Sequence, residues 1–213
     1  MFEENPTNQA PARPTTQRRG IERRQAILDA AEALLTEQGY EDTTLKAIAE
    51  RAGIPITSVY HYFSDRYEVD AEVLRRHVVE LDAIGAAAFG DPALRTLRDA
   101  VDATIDPTLE YLRRHRDCAQ LWFSGRSERL EELVRDFDRI RAERLRTFLV
   151  ERDLLRADTP PLALELAFAA GHRLFDIAFH ASPTGDDATM AEARRLVTAY
   201  LETYSAPGVE GRG

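Results

Sequence analysis

In the stretch AIAERAGIPITSVYHYF, residues 47–63, the side chains of Thr57, Ser58, Tyr60, His61 and Tyr62 crowd together. Hydroxyls and phenols at this density suit hydrogen bonding to phosphate oxygens, because they donate without adding formal charge. A second polar series, His172, Asp176 and His180, recurs at every fourth residue of LALELAFAAGHRLFDIAFHA. Helical geometry opposes metal ligation by this series: at ~1.5 Å per residue the two histidines lie about 12 Å apart, too far to share one ion. It reads as a polar stripe, and neither metal nor cofactor is expected. His115-Arg116-Asp117 echoes a kinase catalytic loop, yet Trp122 stands where its asparagine belongs, and no glycine-rich phosphate loop or metal triad accompanies it. Catalysis lacks its constellation, so no enzyme is expected. Cys118, the lone cysteine, can form neither an internal disulfide nor a thiolate cluster, and suits a small buried filler.

Elements must hold these groups in place. The 213 residues are 44% apolar and 31% charged, and apolar residues three and four apart recur throughout, which implies an all-α fold. The formal charge of -9 argues against a polyanionic partner, but it is uneven. Arg13, Arg18, Arg19, Arg23 and Arg24 face only Glu22 within residues 13–24, so the amino end is locally basic. No run approaches membrane-spanning length and no amino-terminal segment resembles a signal peptide, so a reduced, soluble, cytoplasmic protein is expected.

Residues 1–20 are poor in large apolar side chains and read as a disordered basic arm, either a solvated tail or an arm that enters the minor groove as flexible basic arms do in some DNA-binding domains. Ile27, Leu28, Ala31, Leu34 and Leu35 define a first helix over about 22–38, ended by Gly39. Thr43 and Thr44 offer caps for a second helix, which stops near Ala52 and Gly53. Pro55 fits the first turn of a third helix ending around Tyr62, and Ser64 can cap a fourth running toward Gly90. Longer helices follow: Leu94 through Leu112, with a kink or break expected at Pro107; Leu130 through Leu149, with Ile140 on its apolar face; then residues 161–181 and 186–204.

The second and third helices have helix-turn-helix proportions. Ala49 is the small residue at the crossing, Ile48, Ala52, Ile54 and Val59 point inward, and Pro55, Ile56, Thr57, Tyr60 and His61 are left outside. Tyr62 and Phe63 suit core packing better than DNA contact. Residues 22–69, ERRQAILDAAEALLTEQGYEDTTLKAIAERAGIPITSVYHYFSDRYEV, resemble the amino-terminal domain of the tetracycline-repressor (TetR) family of bacterial transcription regulators. EQGYEDTT, AIAERAG and VYHYF carry the likeness, in the family's order and spacing.

The resemblance implies a helix-turn-helix DNA-binding domain over 21–66, a larger helical effector-binding and dimerisation domain over 67–205, and a flexible tail over 206–213. It also implies a homodimeric repressor on a palindromic operator, released by a small-molecule effector. Position by position, Thr44 resembles the family's phosphate-contacting cap, Ser58 its usual hydroxyl, Tyr60 a phosphate-contacting tyrosine and His61 a phosphate or base contact. Arg66 replaces a common lysine at the start of the fourth helix. Pro55, Ile56 and Thr57 depart from the family's small polar residue, lysine and glycine, so operator preference does not transfer; Ile56 suits a thymine methyl. The departure leaves open a family fold acting through protein contacts alone.

In residues 161–181 the polar side chains Glu165, His172, Arg173, Asp176 and His180 fall within an arc of roughly 100°. A helix so widely apolar needs cover on more than one side, which suits a homodimer through a four-helix bundle of residues 161–181 and 186–204. The family places an effector cavity in this half. Tyr111, Trp122, Phe123, Phe137, Phe168, His172 and Phe175 are its candidate lining, suited to an apolar or aromatic effector.

Overall fold

The computed structural model describes residues 14–88, 94–123 and 127–207. Among them the chain is helical, with one isolated bridge, Leu155 to Ser205. The helices are α1 (Pro14–Gln38), α2 (Leu45–Ala52), α3 (Ile56–Tyr62), α4 (Arg66–Ala88), α5 (Leu97–Arg114), α6 (Arg116–Phe123), α7 (Glu128–Glu151), α8 (Pro161–Ala181) and α9 (Asp187–Glu202).

Helix α1 starts earlier than the sequence suggests. Its first turns include the Arg18–Glu22 pair, spaced four apart, so residues 14–20 of the expected arm are helical. The rest of that arm, residues 1–13, lies outside the described residues, as does the tail from 208. Thr44 caps α2 by accepting from Ala47 N at 3.1 Å, and Gly53 ends it at φ 65°, a left-handed conformation that a side chain disfavours. At the start of α4 the expected cap is displaced by one residue. Asp65 Oδ1 accepts from Glu68 N at 2.8 Å, while Ser64 N donates back to Glu68 Oε2 at 2.7 Å.

Helix α5 begins at Leu97, not Leu94, because Thr96 and Asp99 form a reciprocal capping box. It then runs through Pro107 as one helix rather than breaking. Val101, Ile105, Leu109 and Leu112 are buried against α4 and α9 on both sides of the proline, and that packing holds the axis where one backbone bond is missing. A separate α6 follows a turn at His115, a boundary without glycine or proline and unexpected from the pattern. On α7 the interior position belongs to Arg141, whereas Ile140 is 51% exposed.

Two packed units result. Ile27, Leu35, Tyr40, Ile48, Ala49, Val59 and Phe63 form the core under α1 to α3. The carboxy-terminal helices form the other, with α8 lying between α7 and α9. Helices α4 and α6 both pack on α1, so they join the units.

Candidate nucleic-acid interface and ligand cavity

Val59 fixes the orientation of α3: it is fully buried, and this turns Thr57, Tyr60 and His61 outward on the same short helix. Tyr60 is 57% exposed, unusual for so large a ring, and His61 meets Tyr62 edge to face at 5.6 Å. Pro55 precedes the helix as its cap residue and is exposed, whereas Ser58 and Ile56 are half-buried, with Ile56 leaning on the core. Tyr62 is half-buried and Phe63 wholly buried beneath the Arg24 guanidinium, as expected for packing residues. Thr44 sits exposed at the front of α2. Its oxygen accepts from Ala47, which leaves its proton for an outside acceptor.

Arg66 departs from expectation. Its side chain is 19% exposed, Nε lies 3.3 Å from buried Asp70, Nη2 donates to the Tyr40 carbonyl, and the guanidinium stacks 4.1 Å above the Tyr40 ring. A buried carboxylate one turn away draws this cation inward, so Arg66 bolts α4 to the turn before α2 instead of facing outward. Sequence reasoning passed over Lys46. It is exposed beside Thr44, and among the described residues only a loose 3.8 Å pair with Glu50 engages it. A lysine two places past a helix cap was the available signal.

In the second unit α4, α5, α6, α7, α8 and α9 surround a cavity of about 90 Å³ that opens to solvent. Of the expected lining, Trp122, Phe123, Phe168, His172 and Phe175 do line it. Trp122 Nε1 donates to His172 Nδ1 at 3.3 Å, which makes that nitrogen an acceptor. Tyr111 and Phe137 lie elsewhere. Phe137 is buried against the edge of Trp122, and Tyr111 belongs to a separate polar cluster. Missed from sequence were Thr104, Thr108, Asp138 and above all Arg141, buried in the wall. Burial lowers the Arg141 pKa, with Asp138 and Asp82 opposing that effect, though a guanidinium stays charged in a protein. The spacing Phe137, Arg141, Leu145 was the signal: a charge at an interior position of α7.

The Tyr111 cluster joins three helices. Tyr111 donates to Glu80 Oε2 at 2.8 Å, His77 Nδ1 lies 2.8 Å from the Tyr111 hydroxyl, and His77 Nε2 lies 2.8 Å from Asp117 Oδ2. Burial, then the Glu80 hydrogen bond, raises the Tyr111 phenol. Burial would also raise Asp117, but the bond and charge of His77 outweigh it and hold this carboxyl low. Burial pushes the neighbouring Cys118 thiol well above its ordinary value, as befits an inert filler. The polar series on α8 divides: His180 and Arg173 pair with Asp176, while His172 faces the cavity. Among the described residues no cluster of three His, Cys, Asp or Glu side chains is placed to hold a metal. Nor is any described helix long and apolar enough to cross a membrane.

Comparison with known proteins agrees with this division. Residues 27–73 match the family model described as bacterial regulatory proteins, tetR family, and residues 96–201 match a tetracyclin repressor-like carboxy-terminal domain. Over 64 residues the chain is 38% identical to the HTH-type transcriptional repressor KstR of Rhodococcus jostii, a match covering 30% of each protein. Over 63 residues it is 44% identical to the HTH-type transcriptional regulator SrpR of Pseudomonas putida, covering 29% of this chain and 30% of the relative. The chain thus spans about a third of the length of these curated relatives. Solved structures match over nearly their whole length. A TetR-family transcriptional regulator from Streptomyces coelicolor is 27% identical with a TM-score of 0.61, over 85% of this chain and 99% of that one. SmeT, the repressor of the Stenotrophomonas maltophilia multidrug efflux pump SmeDEF, shares the fold at 24% identity with a TM-score of 0.65, over 87% of this chain and 92% of that one. With an exposed helix-turn-helix at one end, a helical cavity at the other, and a matching family model for each, the chain belongs to the TetR family of bacterial regulators.

Proposed function

We propose that this chain is a DNA-binding transcriptional repressor that grips a palindromic operator as a homodimer and releases it when a small effector enters the cavity. The observation that carries this reading is the outward face of α3, where Thr57, Tyr60 and His61 are exposed on a helix anchored by Val59. With Thr44, Pro55, Ile56 and Ser58 they form the proposed DNA face, and Lys46 adds the charge that Arg66 does not supply. The curated relatives' names as a repressor and a regulator support the role. Exposed Leu162, Leu166 and Ile177 on α8 and Leu196 on α9 support pairing through those helices.

Two physical links support coupling. Helix α6 carries Trp122 and Phe123 on the cavity wall, and its Gln120 Oε1 accepts from Tyr40 N, in the turn before α2, at 3.1 Å. Helix α4 carries Leu81 on the wall and Arg66 at the same turn. A ligand that shifts either helix re-aims the recognition helices, whose spacing must stay near about 34 Å to meet successive major grooves. Differential binding of about 1 to 3 kcal/mol suffices for useful regulation.

The test is titration of purified protein against duplex DNA from upstream of its own gene, in competition with unrelated duplex, at about 0.15 M salt. A two-fold symmetric footprint on the upstream duplex is expected. Equal affinity for both duplexes overturns the operator reading.

A further inference from the structure

Arg141 is 7% exposed, yet among the described residues no carboxylate lies within ion-pair distance of it. Of the neighbouring acids, Asp82 pairs with Arg144 at 2.6 Å, while Asp138 lies 3.5 Å from His172 Nδ1, the nitrogen that already accepts from Trp122, and acts on Arg141 only at a distance. One long hydrogen bond, Nη2 to Thr108 Oγ1 at 3.4 Å, is the guanidinium's only one among those residues. Phe137 and Phe168 flank it at 5.1 and 5.8 Å from their ring centres. These rings soften the cost of a buried cation but do not neutralise it.

Beyond Arg141, the wall's other nitrogen donor is the Nε2–H of His172, whose Nδ1 accepts from Trp122. Thr104 and Thr108 already donate to the Ala100 and Thr104 carbonyls at 2.8 and 2.9 Å. Most remaining lining side chains are apolar, including Leu81, Ile105, Leu112 and Phe175. A buried cation in the wall of an apolar space wants a ligand with one negative group and an otherwise apolar body.

Resting on the reading of this cavity as the effector site, we propose that the effector is an apolar carboxylic acid whose carboxylate pairs with Arg141. A planar carboxylate matches the guanidinium fork, and one negative charge matches the single unpaired cation; nearby Asp138 opposes a more highly charged head. The pairing also touches the link to DNA. The guanidinium rests on α4, where a Cβ added to Gly85 would lie 3.4 Å from Nη2, so drawing the cation toward a ligand loosens its seat on that helix.

The experiment compares acids with matched alcohols, decanoate with decanol and phenylbutyrate with phenylbutanol, by calorimetry and by the fluorescence of Trp122, the sole tryptophan and a wall residue. A merely apolar hole takes the more lipophilic alcohol. The wild-type protein is expected to bind at least one acid tenfold or more tightly than its alcohol. Arg141→Met should lose that preference while still binding the alcohol, and Arg141→Lys should keep part of it. Equal or tighter binding of the alcohols, or a preference that survives Arg141→Met, overturns the carboxylate assignment and leaves the cavity as the effector site. If no probe perturbs Trp122 or releases heat, the cavity reading falls along with it. Should Arg141→Met fail to fold, the wild-type ratio decides, and an absent preference overturns the proposal.

Discussion

At the scale of single residues, burial decides more than charge does. Asp70 is fully buried, and desolvation outweighs the help of Arg66 and Tyr40, so its carboxyl is raised to about 6. The folded chain thus holds this proton more tightly than the unfolded chain does. Ionisation costs stability as pH rises from about 4 to about 6, and that loss is complete above the window. Asp70→Asn cannot ionise; in denaturant melts its stability relative to wild type is expected to climb through that window by up to about 3 kcal/mol. Parallel profiles would mean that Arg66 keeps the carboxylate charged throughout. The DNA face divides by the same logic. Thr44→Ala removes a neutral donor and should weaken operator binding with an unchanged salt slope, whereas Lys46→Ala should flatten the slope by about 0.9. Identical slopes for wild type and Lys46→Ala remove Lys46 from the phosphate contacts. Thr57, Tyr60 and His61 were legible in the sequence because an amphipathic two-turn helix leaves few places for polar groups. Arg66 and Arg141 were not, because what draws each inward, Asp70 in one case and the α4–α7 packing in the other, is set by tertiary structure.

Among elements, the turn between α2 and α3 sets the angle at which α3 is presented. Gly53 adopts φ 65° with nothing within 4 Å of a would-be Cβ, so Gly53→Ala meets backbone strain and no collision. Its expected cost is about 1 kcal/mol in a thermal or urea melt. Operator affinity should fall further than that loss explains, since relief of the strain opens the angle between the helices; unchanged affinity in a fully folded variant would show slack in the turn. Helices α2, α3 and α8 lay where periodicity put them, because caps and prolines marked their ends. Helix α6 escaped notice, its boundary at His115 marked by neither glycine nor proline, and Pro107 misled because its lost bond is local while the packing around α5 is not. The aromatic series was half-legible as a cavity for a related reason. Spacing says that Tyr111 faces inward, but only the meeting of α4, α5 and α6 decides that it faces His77 and Glu80.

For the whole molecule, in the proposed homodimer, the governing quantity is the distance between two recognition helices, and only an assembly has such a distance. Leu162 and Leu166 are 57% and 50% exposed on α8, Ile177 is 43% exposed about three turns beyond Leu166, and Leu196 is 49% exposed on α9. An apolar face of this kind, interrupted on α8 by exposed Arg173, suits a second copy placed by two-fold symmetry, with each surface its own complement. Replacing Leu166 and Leu196 together by glutamate touches no buried side chain, so helix content and cavity binding should persist. The mass from sedimentation at micromolar concentration should fall to one chain. Operator affinity should fall by about 100-fold or more, because two linked half-sites raise each other's effective concentration and a lone chain has only one. A double variant that stays dimeric moves the interface off α8 and α9. One that becomes monomeric yet keeps its operator affinity removes the groove-matched spacing from the mechanism, and with it the route by which a ligand among α4, α6 and α7 reaches the DNA.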